Sequence, residues 1–271
     1  MTDLERFMPA TPAAARGRIS QTTAVEQSRA VAEVQAAVTV ALQFPRDMSR
    51  AWADMRESCS RLRLAERAFY SVPNRGNGPS VHLARELARI WGNLDYGVRE
   101  LSRDDEAAMS EVQAYAWDQQ TNVRSSRTFQ APHAKMVGKG ALKRREALVD
   151  LDDIYRNNQN VGAKAVRESI FSVLPSDFVE EAQNICHATL KKGDGVPLAD
   201  RIAKAVSLYA GLSITLDRLE AKVGKARGKW DAQTVADLSV WYTSITRDGV
   251  DAASLIPEAA VDIAELNGGA A

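Results

Sequence analysis

Acidic side chains in the middle of the chain offer one route to chemistry. Asp150, Asp152 and Asp153 are nearly adjacent, and Glu111 and Asp118 belong to one short segment. Carboxylates grouped in this way could hold Mg²⁺ for cleavage of a phosphodiester. However, acidic residues at a helix start also oppose the helix dipole, and Glu111 lacks the lysine two positions later that a Glu-x-Lys nuclease motif requires. A metal-dependent nuclease is therefore kept only as an alternative.

Other enzyme signatures are incomplete. The segment Gly224-Lys-Ala-Arg-Gly-Lys has three residues between its glycines where a P-loop has four, and Trp230 follows it in place of Ser or Thr. Gly78-Pro-Ser-Val-His has histidine where a nucleophile elbow has its second glycine, so Ser80 fits better as a helix N-cap. The histidines and cysteines share no ligand spacing; they are His82, His133, His187, Cys59 and Cys186. The sequence predicts no catalytic residue, no metal and no cofactor.

Basic side chains, in contrast, recur at regular spacing in two predicted helices and a predicted hairpin. Such stripes are typical of a surface that follows a phosphate backbone without reading bases, although each could also be an ordinary solvated face. The residues predicted to contact phosphates are Arg85, Arg89, Arg124, Arg127, Arg156, Lys164 and Arg167. Tyr115 and Trp117 alternate onto one face of a predicted strand, where they could stack on bases or form the floor of the sheet.

The distribution of charge supports an anionic partner for the middle of the chain. Residues 119–167 carry 10 basic and 4 acidic side chains, whereas residues 168–271 carry 10 basic and 15 acidic side chains. The net charge of zero conceals this segregation. It indicates different roles for the middle of the chain and for its end.

The elements that must position these residues indicate an α+β fold, in which a helix and an antiparallel β-meander pack on further helices, with a small C-terminal helical module. Helices are predicted over 24–42, 47–63, 81–91, 151–174, 178–191, 198–223 and 231–246, with a short helix after Pro257. Strands are predicted over 67–73, 94–101, 109–118 and 123–132, and loops over 74–79 and 133–149.

Four segments follow from this pattern. We expect a flexible tail over 1–22, an α+β core over 23–192, a connecting helix over 193–224 and a small helical partner-binding module over 225–271. The helix over 24–42 could contribute to contacts between protomers or be buried within one protomer.

Composition excludes several classes of protein. The 271 residues are 45% hydrophobic and 26% charged, a balance that excludes a disordered or fibrous chain. No stretch approaches the ~20 apolar residues of a membrane span, and Met1 to Ser20 lacks the apolar core of a secretory signal. Two cysteines far apart in sequence suit a reducing cytoplasm.

Four strings of residues carry a resemblance to a known family. They are Gly78-Pro-Ser-Val-His-Leu-Ala-Arg-Glu-Leu-Ala-Arg with Trp91-Gly-Asn, Ser110-Glu-Val-Gln-Ala-Tyr-Ala-Trp-Asp, Thr121-Asn-Val-Arg-Ser-Ser-Arg-Thr-Phe and Asp153-Ile-Tyr-Arg-Asn-Asn. They resemble actinobacteriophage proteins described as RecT-like or Erf-like single-strand annealing proteins. The order of helix, meander and a helix with Gly162-Ala-Lys is similar to the core of annealing proteins. The resemblance covers about residues 24–192.

This resemblance implies ATP-independent binding and annealing of complementary single-stranded DNA in phage homologous recombination, by an oligomeric ring or filament. It places single-stranded DNA in a basic groove between the meander and the following helix. It also implies that the C-terminal module binds a phage exonuclease or a single-strand-binding protein, in the cytoplasm of a bacterial host. The first alternative is a structural or regulatory oligomeric phage protein that binds other proteins.

Overall fold

Polar caps set the beginnings of the helices that matter most for the site. In the computed structural model, the Ser80 hydroxyl accepts hydrogen bonds from the backbone N–H groups of His82 and Leu83, at 3.2 and 3.3 Å. The Asp150 carboxylate accepts in the same way from Asp152 and Asp153. Both are N-caps, because each satisfies N–H groups that the first helical turn leaves without a partner. The prediction of Ser80 as a cap is confirmed.

The structure describes residues 21–73, 76–138 and 144–257. The chain divides into two units, Met1–Pro45 and Arg46–Ala271. The described element of the first unit is helix α1 (Gln21–Gln43). The predicted tail over 1–22 lies outside the described residues except for its last two residues, which already belong to α1.

The second unit mixes helices and strands, which confirms the predicted α+β class. Its helices are α2 (Met48–Cys59), α3 (Leu62–Ala65), α4 (Val81–Trp91), α5 (Leu151–Val173), α6 (Ser176–Lys192), α7 (Leu198–Ala210), α8 (Leu216–Val223), α9 (Ala232–Thr246) and α10 (Ala252–Leu255). Its strands are β1 (Phe69–Val72), β2 (Gly76–Pro79), β3 (Leu94–Asp104), β4 (Met109–Asp118), β5 (Val123–Pro132), β6 (Ala134–Val137) and β7 (Arg144–Ala147).

The predicted meander is confirmed as an antiparallel sheet in the order β3-β4-β5. β4 and β5 have the predicted bounds, and β3 runs three residues further than predicted. Gly97, Tyr115 and Ser126 stand opposite one another in the register, and Trp117 stands opposite Arg124. Because strand residues alternate between faces, this register fixes which side chains share a surface.

Several predicted bounds are wrong. Part of the predicted loop over 74–79 is strand β2, which pairs with β1. The predicted loop over 133–149 contains the hairpin of β6 and β7, and its lysines at 139 and 143 lie outside the described residues.

Three predicted helices also differ from the structure or cannot be compared with it. The single helix predicted over 198–223 is two helices, because the chain turns between Gly211 and Ile214 and Thr215 caps the start of the second helix. The predicted helix over 47–63 ends at Cys59, and the one predicted after Pro257 lies outside the described residues.

Two clusters of buried apolar residues hold the second unit together. The larger cluster joins α4, α5 and α6 to the small side chains Ala114 and Ala116 of β4, and it contains both cysteines as free thiols. The smaller cluster joins α7, α8, α9 and α10 around Tyr209 and Trp230. Helix α9 belongs to both, since Ala236 and Val240 lie in the larger cluster and Leu238 in the smaller.

The close approach of α5 to the sheet depends on Gly162. A Cβ atom at this position would lie 2.7 Å from both terminal carbons of Val98 on β3. Side-chain atoms do not approach that closely, so the helix lies on the sheet only because residue 162 has no side chain.

We expect Gly162→Ala to lower the free energy of unfolding, by about 1–3 kcal/mol from overpacking, even though alanine favours helix by about 1 kcal/mol over glycine. Urea denaturation measures the change. Combining Gly162→Ala with Val98→Ala provides the control, since the double variant should be more stable than the sum of the two single effects. A Gly162→Ala protein more stable than the wild type would contradict the packing described here.

Candidate nucleic-acid interface

The two faces of the meander have different surroundings. Helix α5 packs on the inner face, which carries the buried residues Val112, Ala114 and Ala116. The other face is called the outer face here; it comprises Asp95, Gly97 and Arg99 of β3, Glu111, Gln113, Tyr115 and Trp117 of β4, and Arg124, Ser126, Thr128 and Gln130 of β5. Arg99, Arg124 and most of the β5 side chains of this face are exposed to solvent.

Tyr115 lies flat across the neighbouring strand on the outer face. A Cβ atom at position 97 would be 3.2 Å from its ring, so glycine there leaves room for the ring. The Tyr115 hydroxyl donates to the Asp95 carboxylate at 3.4 Å. The Arg99 guanidinium lies over the ring, 4.1 Å from its centroid. Arginine, ring and strand therefore form successive layers.

Trp117 repeats this arrangement toward β5. The Arg124 guanidinium lies over the indole at 3.9 Å, and the indole Nε1 donates to the Asn122 side chain at 3.1 Å. Trp117 is only 7% exposed. The aromatic rings are therefore the floor of the surface, as one of the two sequence-based interpretations has it, and the guanidinium groups are its outermost layer.

The two outer-face arginines keep their charge available. Within the described part of the chain, neither Arg99 nor Arg124 has a carboxylate oxygen within 4.0 Å. A guanidinium above an aromatic ring is held by the ring quadrupole and is weakly hydrated, so it can still pair with a phosphate or stack beneath a base. The arrangement is suited to a flexible, anionic and aromatic ligand.

The structure thus brings together three of the predicted site residues, Tyr115, Trp117 and Arg124. Arg99 belongs with them, and sequence reasoning missed it. The signal was available in the alternation of β3, because the register pairs Arg99 with Gln113. Arg127 is separate, since it stands opposite buried Ala114 and therefore belongs to the inner side at the sheet edge.

The predicted helix residues lie on other surfaces. Arg156 and Lys164 are exposed on the side of α5 opposite its buried stripe, and Arg85 is exposed on α4. Arg89 pairs with Glu86 at 2.7 Å on the same helix. These positions do not form one continuous stripe with the outer face, because α5 lies on the inner face of the sheet.

Arg167 is already engaged within the protein. Its guanidinium lies 2.6 Å from the Glu168 carboxylate and 4.6 Å from the centre of the Tyr70 ring, and its side chain is mostly buried. Between the meander and the following helix, where a basic groove is expected from the resemblance, Gly162 and Val98 pack directly together and leave no open space at that point.

The carboxylates considered for a nuclease do not converge. Glu111 and Asp118 are seven residues apart on β4, about 23 Å at the rise of an extended strand. Asp150 caps α5, and Asp118 is buried against Arg46. In the residues that the structure describes, no three His, Cys, Asp or Glu side chains are grouped to hold a metal ion.

The Arg46–Asp118 pair anchors one end of the sheet. Two guanidinium nitrogens of Arg46 donate to the two carboxylate oxygens at 2.7 and 2.6 Å, and the side chains are 5% and 2% exposed. The Trp91 indole and the backbone N–H groups of Gln120 and Thr121 also donate to this carboxylate. Burial would raise the pKa of Asp118, but the hydrogen bonds from Arg46, Thr121 and Trp91 outweigh it and lower that pKa.

A buried serine and histidine form the arrangement most similar to a catalytic one. The Ser110 hydroxyl is 2.8 Å from His133 Nε2, and Asp105 is 4.0 Å from the other ring nitrogen. Ser110 is fully buried and also bonds to the Glu100 carboxylate at 3.1 Å. A nucleophile must reach its substrate, so this hydroxyl serves the packing of the sheet. The sequence showed no spacing that would have revealed the pair.

None of the helices in the described ranges is long and apolar enough to cross a membrane. Comparison with family models, curated proteins and solved structures gives no match for this chain.

We expect Asp118→Asn to lower the free energy of unfolding at pH 7 by about 3–5 kcal/mol, because it leaves the Arg46 charge buried without its partner. The folded-state pKa of Asp118 is lowered, so its stabilisation is complete above the unfolded pKa of about 3.9 and is lost as the pH falls through the folded value. The difference between wild type and variant should therefore shrink below about pH 4.

Urea denaturation between pH 7 and pH 2.5 measures this dependence. The matched control is Asp54→Asn, since Asp54 forms an exposed pair with Arg50 and should contribute less than about 1 kcal/mol. Equal effects of the two substitutions would contradict the anchoring role of Asp118.

Proposed function

We propose that this protein binds single-stranded DNA on the outer face of its meander and anneals complementary strands without ATP. One observation supports the binding surface most directly: two arginines lie over two aromatic rings on an open sheet face and have no carboxylate partner in the described ranges. The annealing step rests on the resemblance of the sequence to phage annealing proteins.

The chemistry of this face favours a single strand over a duplex. Unstacked bases can lie against guanidinium planes while their phosphates pair with the same groups or with neighbouring cations. The other side chains of the face include the neutral polar residues Gln113, Ser126 and Thr128 and the carboxylates Asp95 and Glu111. These offer no fixed pattern that would select one base, so we expect binding that is independent of sequence.

Annealing needs two strands to be held in register, which several protomers achieve more readily than one. We therefore propose a homo-oligomer, a ring or filament, to which the apolar positions of α1 could contribute contacts. We also propose the cytoplasm of a bacterial host as its location and a phage exonuclease or single-strand-binding protein as a partner.

The decisive experiment compares two double variants that each remove two positive charges. Arg99→Gln with Arg124→Gln changes the outer face, and Arg156→Gln with Lys164→Gln changes the exposed side of α5. Fluorescence anisotropy with a labelled 40-nucleotide strand gives affinities across a salt series. Mixing two complementary labelled strands gives annealing rates.

We expect the outer-face variant to bind at least tenfold more weakly, with a slope of log affinity against log salt that is shallower by roughly 1.4, since each lost phosphate contact to a single strand removes about 0.7. Annealing should slow in parallel, and the α5 variant should retain most of the wild-type slope.

If the α5 variant instead lost more affinity and more of the salt slope than the outer-face variant, the binding surface would be on α5 and the proposal for the outer face would be wrong. Absence of binding and annealing by the wild-type protein at low salt would overturn the function and favour a structural or regulatory protein. Circular dichroism confirms that the variants are folded.

A further inference from the structure

A cavity of about 350 Å³ lies among α6, α7, α9 and the segment after α3. Its apolar wall includes Leu190, Val235 and Leu238, and the buried ring of Tyr209 lies beside them. The lining shares no residue with the outer face of the meander. The cavity is therefore a separate feature from the proposed DNA surface.

Hydrogen bonds between helices hold the cavity open in a defined shape. The Tyr209 hydroxyl on α7 donates to the Leu238 carbonyl on α9 at 2.7 Å. Arg201 on α7 donates to the Leu190 and Lys191 carbonyls at the end of α6, at 2.5 and 2.6 Å. Gly193 leaves space for this guanidinium, since a Cβ atom there would lie 2.3 Å from it. A site fixed in this way requires little rearrangement to bind a ligand.

The mouth of the cavity is mostly basic and its margin is apolar. Lys204 and Arg67 are exposed lining residues, and neither has a carboxylate oxygen within 4.0 Å among the residues described here. Glu66 is an acidic residue of the lining. Val196 and Leu208 continue the apolar surface outward and are 47% and 39% exposed.

We infer that this cavity binds a short acidic polypeptide segment of another protein, which inserts a large apolar side chain between α7 and α9. Its carboxylates would pair with Lys204 and Arg67 at the mouth. The volume is at the low end of the ~300–1,000 Å³ of ligand pockets, which suits one or two side chains. The exposed margin at Val196 and Leu208 offers further apolar contact to a chain that continues past the mouth.

The test uses a fluorescein-labelled peptide, Glu-Asp-Leu-Glu-Asp-Phe-Glu-Asp, and measures its anisotropy with the full-length protein. Two control peptides separate the contribution of the apolar side chains from that of the negative charges. One has alanine in place of the leucine and phenylalanine, and the other has lysine in place of every acidic residue. We expect only the first peptide to bind, because the site requires both the apolar anchor and the negative charge.

Three protein variants locate the binding. Ala205→Phe fills the cavity, since Ala205 is part of its lining, and Lys204→Glu reverses the charge at the mouth. Lys229→Glu makes the same charge change on an exposed residue outside the lining. Ala205→Phe and Lys204→Glu should each lower the affinity for the acidic peptide at least tenfold. Lys229→Glu should change that affinity less than twofold. Lys204→Glu should also raise the affinity for the lysine peptide.

Failure of the acidic peptide to bind the wild-type protein would overturn the inference. Equal binding of the alanine peptide, or equal weakening by Lys204→Glu and Lys229→Glu, would also overturn it, since the cavity would then not be the site. Thermal melts monitored by circular dichroism exclude unfolding as the cause. Because the DNA surface is elsewhere, failure here leaves the proposed annealing function unaffected.

Discussion

The buried ion pair between Arg46 and Asp118 is the constraint on which the proposed surface depends. It joins the first residue of the second unit to the last residue of β4, and the Trp91 indole adds the end of α4 to the same carboxylate. The Asp118 carboxylate also organises the turn before β5, because it accepts from two backbone N–H groups there. The charge pair and the other hydrogen bonds to the Asp118 carboxylate therefore fix the position and the orientation of this end of the sheet.

Trp117 precedes Asp118 in the chain, so the pair controls the outer face as well. Alternation along β4 directs Asp118 inward and Trp117 outward. Asn122, in the turn that Asp118 organises, holds the indole by a hydrogen bond. The floor on which Arg124 lies is consequently supported by interactions on the opposite side of the same strand. Burial of a charge pair has a high desolvation cost. In this protein the buried pair supports the defined positions of Trp117 and Arg124 on the outer face.

Much of the local structure could be predicted from the sequence. The bounds of β4, β5 and α4 follow from alternation and from the cap at Ser80, signals that depend on a few neighbouring residues. The break in the helix predicted over 198–223 could not be predicted in the same way. Gly211 and the cap Thr215 are local signals of a break, but each is weak alone. The turn also lets Tyr209 and Ile214 pack in one apolar cluster, which depends on the folded chain.

In the site, too, features that depend on neighbouring residues could be predicted, and contacts between residues far apart in the chain could not. Alternation places Tyr115, Trp117 and Arg124 on one face, and the sequence predicted them together. The close approach of α5 to the meander at Gly162 could not be predicted in this way, because the spacing between a helix and a sheet depends on small side chains at the contact. Arg46 lies 72 residues from its partner in the chain, and no pattern in either segment indicates the pairing.

Helix α9 links the last described part of the chain to strand β1. The buried N–H group of Ser71 on β1 donates to the Ser244 hydroxyl of α9 at 2.8 Å, across 173 positions of sequence. Loss of α9 would remove the acceptor of that amide and would open the larger apolar cluster at Ala236 and Val240. Helix α9 thus contributes to the cooperativity of the second unit, so that protection of the β1 amides from hydrogen exchange is expected to depend on residues far along the chain.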